Sequence, residues 1–109
     1  MTKREKSWPF PVYSGLLQDG HKKKIGDALW EFLWCIDRTT TEENGIGWVL
    51  AKKPITLEEI AKTFGDSHKT TQRHLKVLKE QGYITVKRAS KGLVIGVLKS
   101  KKWWHKTKM

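Results

Sequence analysis

The stretch HKTTQRHLKVLKEQGYI, residues 68–84, decides how the rest of the chain is read. Thr71, Leu75 and Leu78 stand at i, i+4 and i+7, so a helix over about residues 68–81 turns them to one side. The other side then carries His68, Lys69, Thr70, Gln72, Arg73 and Lys76. A helix that is merely solvated mixes Glu with Lys for i,i+4 pairing. From residue 68 to residue 79 there is no acid. Ser67 is placed to cap this helix and Gly82 to stop it. The amino-terminal half also carries the positive end of the helix dipole, suited to a phosphate or an electron-rich base edge. Arg73 can pair in bidentate fashion with guanine and Gln72 with adenine, while Thr70 can meet a thymine methyl or a phosphate. Lys69 and Lys76 are flexible point charges and suit phosphates.

Just upstream, ITLEEIAKTFG at residues 55–65 reads as a second helix. Thr56 with Glu59 three residues on makes a capping box, so two orphan N–H groups can be satisfied. Leu57, Ile60, Ala61 and Phe64 form its buried stripe, and Gly65 ends it in the left-handed conformation. Two short helices across a turn containing glycine follow the helix-turn-helix plan. Downstream, YITVKRASKGLVIGVLK at residues 83–99 alternates with period two on both sides of Ser90, Lys91 and Gly92, which is a β-hairpin. Ile84, Val86, Leu93, Ile95 and Val97 give the hairpin its inward face. Lys87, Arg88 and Lys91 make its turn basic. A basic-tipped hairpin after a helix-turn-helix is a wing, able to touch a flanking phosphate or enter a minor groove.

Toward the amino terminus the reading has less to hold it. Residues 39–47, TTTEENGIG, are expected to be a polar loop, and Trp48, Val49 and Leu50 a short strand that Pro54 ends. A first helix is expected over about residues 19–38, with Ile25, Ala28, Leu29, Phe32, Leu33, Cys35 and Ile36 on one face. Trp30 and Trp34 point to the opposite side, among Lys23, Asp27 and Asp37. Either the aromatic arm WPFPVYSGLL at residues 8–17 folds over them, or they meet a second copy in a homodimer. Pro9 and Pro11 force that arm into an extended path.

The expected organisation is an arm over 1–18, a domain over 19–100 and a basic aromatic tail over 101–109. At 109 residues one modest core is affordable, and no apolar run approaches the ~20 residues of a membrane span. No secretory signal is visible, and one cysteine fits a reducing cytoplasm. The net charge of +11 is not spread evenly. Residues 1–50 carry seven basic and seven acidic groups, and residues 51–109 fifteen and four, which points to a polyanion partner.

The order helix, strand, helix, helix, hairpin is that of an α+β winged helix-turn-helix. IAKTFGDSHKTTQRHLKVLKEQGYI, residues 60–84, resembles the helix-turn-helix of MarR-like and ArsR-like bacterial regulators. A wider resemblance runs through WPFPVYSGLL, KIGDALWEFLWCIDRTT, KKPITLEEIA and KSKKW, over roughly residues 8–104. It is to the amino-terminal winged-helix domain of replication initiation proteins from phages and mobile elements of Gram-positive bacteria. That resemblance implies binding of double-stranded origin DNA or self-association, further domains, and replication proteins as partners. The alternatives are a MarR-like or ArsR-like transcriptional regulator and a protein–protein self-assembly module.

Enzyme chemistry is not expected: there is no glycine-flanked nucleophilic serine, no phosphate loop at Gly45-Ile46-Gly47 and no acidic cluster for magnesium. His68 and His74, six residues apart, fall on different sides of one helix, so no metal ligand set is read there and they are expected as capping-region and surface histidines. Cys35 is expected in the core. Trp103 and Trp104, beside Lys101, Lys102 and His105, suit either packing back on the domain or stacking on unpaired bases. No cofactor is expected.

Overall fold

The computed structural model describes residues 9–18 and 20–98. Trp8, Asp19 and the tail with Lys101, Lys102, Trp103, Trp104 and His105 lie outside the described residues, so the readings placed on them are not addressed by the fold.

The expected first helix is two helices. Helix α1 spans His21–Ile25, a 3-10 turn covers Gly26–Ala28, and α2 spans Leu29–Asp37. The break is at Gly26, whose φ of 52° and ψ of −128° lie far from helical values and in a region open to glycine. Ile25, Ala28 and Cys35 still reach the core across the break. Leu29, Phe32 and Ile36 are half-buried and pack against it.

The expected polar loop after α2 is a β-hairpin. Strands β1, Thr39–Glu43, and β2, Ile46–Val49, pair antiparallel across Asn44-Gly45. Both turn residues have positive φ, 53° and 80°, the type I′ geometry that matches strand twist. Thr39 is buried and its hydroxyl donates to the Cys35 carbonyl at 2.8 Å, which closes the end of α2. The chain then makes a left-handed turn over Leu50, Ala51 and Lys52, with φ of 50°, 54° and 73°. The Lys52 ammonium braces it, 3.1 Å from a Glu43 oxygen and 4.8 Å from the centre of the Trp48 ring.

Helix α3, Leu57–Phe64, begins at the expected capping box. The Thr56 hydroxyl accepts the Glu59 N–H at 3.1 Å, and the Glu59 carboxylate accepts the Thr56 N–H at 2.9 Å. Gly65 ends the helix at φ 70°. Helix α4, His68–Glu80, begins at Ser67, whose hydroxyl accepts the Thr70 N–H at 3.1 Å. Thr71, Leu75 and Leu78 are buried, as their spacing predicts.

Strands β3, Ile84–Ala89, and β4, Gly92–Val97, form the wing. They complete one antiparallel sheet in the order β1-β2-β4-β3. Ile84, Ile95 and Val97 join Val49, Ile55, Ile60, Leu75 and Leu78 in the core. Two contacts fix the wing's position. Ile55 and Leu93 exchange backbone hydrogen bonds at 2.8 and 2.7 Å, tying the tip end of the wing to the entry of α3. Gly92, at φ 147°, sits so close that an added Cβ would fall 2.6 Å from the Ile55 oxygen. No helix among the described residues is long and apolar enough to cross a membrane.

Candidate nucleic-acid interface

Helix α4 keeps Thr71, Leu75 and Leu78 inward, so the 100° step per residue leaves Lys69, Gln72, Arg73 and Lys76 exposed on the outer surface. His68 is also exposed, on the first turn. Thr70 is half-buried and belongs to the cap: its hydroxyl accepts from the Ser67 hydroxyl at 3.1 Å. It can still donate outward. The outer face is free of acid until Glu80, which stands 4.0 Å from Lys76 in the last turn. An acid-free outer surface therefore runs from the first turn as far as Lys79.

The wing stands beside this helix and makes a cleft of about 590 Å³ with it. Gln72, Lys76 and Lys79 line the helix side, and Arg88 and Lys91 line the wing side. Lys87 and Arg88 part company here. Arg88 opposes Leu93 in the ladder and shares the face of Val86, whereas Lys87 opposes Val94 on the other face. His68, Lys69 and Arg73 do not line the cleft; they extend the basic surface beyond it. Lys79 is a cleft cation that the sequence reading passed over. Its signal was available, since Gln72, Lys76 and Lys79 are spaced i, i+4 and i+7.

Behind α4 the structure shows a second feature. Glu31 of α2 is only 1% exposed, and its carboxylate lies 3.0 Å from His74 Nδ1. His74 is therefore not the surface histidine its spacing suggested. Glu31 follows Ala28 by three residues and precedes Cys35 by four, so the inward face of α2 holds it beneath α4.

A recognition helix with a wing across a cationic cleft is the arrangement of a protein that holds duplex DNA. The comparisons agree. The family model described as bacterial regulatory protein, arsR family, matches residues 49–86, which run from the end of β2 through α3 and α4 into the wing. The fold is a DNA-binding winged helix. The chain is also 50% identical over 105 residues to the phage-like element PBSX protein XkdB of Bacillus subtilis (strain 168), an alignment taking in 93% of this chain and 38% of that protein. The chain thus spans well under half the length of the curated relative it matches. No solved structure matches it. The helix-turn-helix read from the sequence is shared with the matched family, but that family is one of regulators rather than of replication initiators.

The two tryptophans of α2 differ in the winged helix. Trp34 is half-buried against the core, with the Arg38 guanidinium 5.7 Å from its ring centre. Trp30 is 60% exposed. The described part of the arm does not cover it. Val12, Tyr13 and Leu16 instead border a cavity of about 460 Å³ together with Phe32, Ile36 and Tyr83. There the Tyr83 hydroxyl hydrogen-bonds His21 Nδ1, and the Phe32 and Tyr83 rings meet edge to face at 5.3 Å.

Proposed function

We propose that the domain reads a specific duplex DNA site as a regulator of the ArsR-like kind, within a phage-like element of a bacterium. Helix α4 lies in the major groove and the β3–β4 wing holds the flanking backbone. The observation that carries this is the cationic cleft, with Gln72, Lys76 and Lys79 facing Arg88 and Lys91 across it. Arg73 and Gln72 read base edges, Thr70 and His68 lie at the helix end nearest the bases, Lys69, Lys76, Lys79, Arg88 and Lys91 hold phosphates, and Lys87 adds positive charge on the outer face of the wing. The function is binding, without catalysis or cofactor.

A second reading is origin recognition in replication, and one observation favours it. The phage-like relative is far longer than this chain, so the winged helix corresponds to one part of a larger protein, as in a replication initiator. Selection from random duplexes at about physiological salt, where the ionic part of binding is already weakened, tests both. The expected result is enrichment of one motif, found singly or as an inverted pair beside a promoter in the native genome. Iterated copies in one array favour the origin. Retention without enrichment overturns sequence reading, because a +11 chain binds any duplex weakly.

A further inference from the structure

We propose that Glu31, Asp66 and His74 form a site for one divalent transition-metal ion of the zinc and cobalt type, set behind the reading helix. The proposal stands apart from the DNA-binding reading and does not rest on it. The three residues come from α2, from the turn that joins α3 to α4, and from α4 itself. Each offers one ligand atom, and these atoms all lie within 4.8 Å of one another. Donors held about 2.0–2.2 Å from one cation stand no more than about 4.4 Å apart, so the set has to close by a few tenths of an ångström on the ion, a movement the exposed Asp66 side chain can supply.

Proximity of acids would not by itself make a site. The second observation is the state of Glu31. Its side chain is 1% exposed, and one carboxylate oxygen is taken up by His74 Nδ1 at 3.0 Å. The other oxygen, Oε2, is buried and has no hydrogen-bond partner among the described residues. A buried carboxylate oxygen with nothing to accept is a costly arrangement, and a cation is one group that satisfies it. Two carboxylates and one imidazole are the ligand types that borderline divalent ions take. Asp66 is exposed, so the ion has an entry from solvent and a water can fill the remaining position. On binding, the ion takes the place of any proton shared between Glu31 and His74, and that proton leaves to solvent. The bound ion would clamp the turn that carries Asp66 to α2 and α4, which are themselves joined on this side by one imidazole–carboxylate pair.

The experiment is a Co²⁺ titration of the full chain followed by visible absorption, with thermal melts in Zn²⁺ as the second readout. One equivalent of Co²⁺ is expected to bind with a ligand-field spectrum of oxygen and nitrogen donors. A hundredfold excess of Zn²⁺ over its Kd is expected to raise Tm by several degrees or more. Asp66→Asn keeps an exposed side chain and should leave the metal-free Tm unchanged while weakening Co²⁺ binding by about tenfold or more. Glu31→Gln is the stronger lesion but can fail to fold, so Asp66→Asn decides. His68→Ala, an exposed histidine outside the cluster, should bind Co²⁺ as the parent does. No uptake, equal affinity in Asp66→Asn, loss in His68→Ala, or a thiolate charge-transfer band from Cys35 would each overturn the site.

Discussion

Replacing Lys91 by Ala tests whether the wing touches DNA, and its effect can be worked out beforehand. Lys91 is exposed at the wing tip and lines the cleft opposite Gln72, Lys76 and Lys79. No acid among the described residues pairs with it, in contrast to Lys52, which already pairs with Glu43 at 3.1 Å. Each phosphate neutralised on B-DNA contributes a slope of about −0.9 in log K against log salt. Five such contacts, from Lys69, Lys76, Lys79, Arg88 and Lys91, give a slope near −4.5. Between 50 and 200 mM salt, the parent should then lose affinity by about 500-fold. Without Lys91 the slope falls to about −3.6, and the loss to about 150-fold.

Fluorescence anisotropy on a labelled duplex at four salt concentrations measures that slope. The base preference of Lys91→Ala should match the parent, because a lysine on a phosphate positions the domain without reading sequence. Lys52→Ala serves as the control and should keep the parental slope. An unchanged slope in Lys91→Ala would remove the wing from the interface and leave α4 to bind alone. A parental slope with altered base preference would refute the division between wing and helix.

Other outcomes follow from the same geometry. Arg73→Ala should weaken binding to the preferred site by about 1–3 kcal/mol and barely affect unrelated duplexes, measured by competition; an equal loss on all sequences would make it a phosphate contact. Thr71→Val should raise stability by about 1 kcal/mol, or several degrees in Tm, because the Thr71 hydroxyl is buried without a partner among the described residues; a lower Tm would refute this. Burial, with the Glu31 carboxylate second, pushes the Cys35 thiol up to about 12 from 9.0. The unfolded thiol ionises first, so stability present below pH 9 falls as pH rises toward 12, by about 1.4 kcal/mol per unit. Cys35→Ala should lack that component in urea melts; an identical pH profile would contradict it. Self-association through Trp30 should appear as a dimer in sedimentation that Trp30→Ala dissolves, and a monomeric parent would end the idea.

The carboxy-terminal half was legible because its local signals all favoured one answer. Thr56 and Glu59 could cap only one helix start, and Ser67 and Gly82 bracketed α4 on either side of an i, i+4, i+7 stripe. Period-two alternation then placed Ile84, Ile95 and Val97 inward. In the amino-terminal half two signals were set aside. Asn44-Gly45 is a strong two-residue hairpin signal, but the polar run Thr39–Glu43 masks it, because an edge strand with one buried residue shows no apolar alternation. Gly26 stood inside a continuous apolar stripe, and only its backbone conformation reveals that the helix stops there.

Glu31 shows why part of the site could not be read in this way. Hydrophobic periodicity sorts residues by type before it sorts them by position, so a glutamate on the face of Ala28 and Cys35 is assigned to solvent. What reverses the assignment is a partner 43 residues away, and no local pattern carries that distance. His74 was misplaced for the matching reason. It sits three residues after Thr71 and four before Leu78, at the margin of the buried stripe, where a polar residue faces outward unless something beneath it accepts a hydrogen bond. Each residue is explained only by the other. The basic surface, by contrast, needs no partner within the chain to be recognised, because an acid-free outer face is a property of α4 alone. The reading face of this domain is therefore written locally, while its support is written in a pair of positions that become neighbours only when α4 packs on α2.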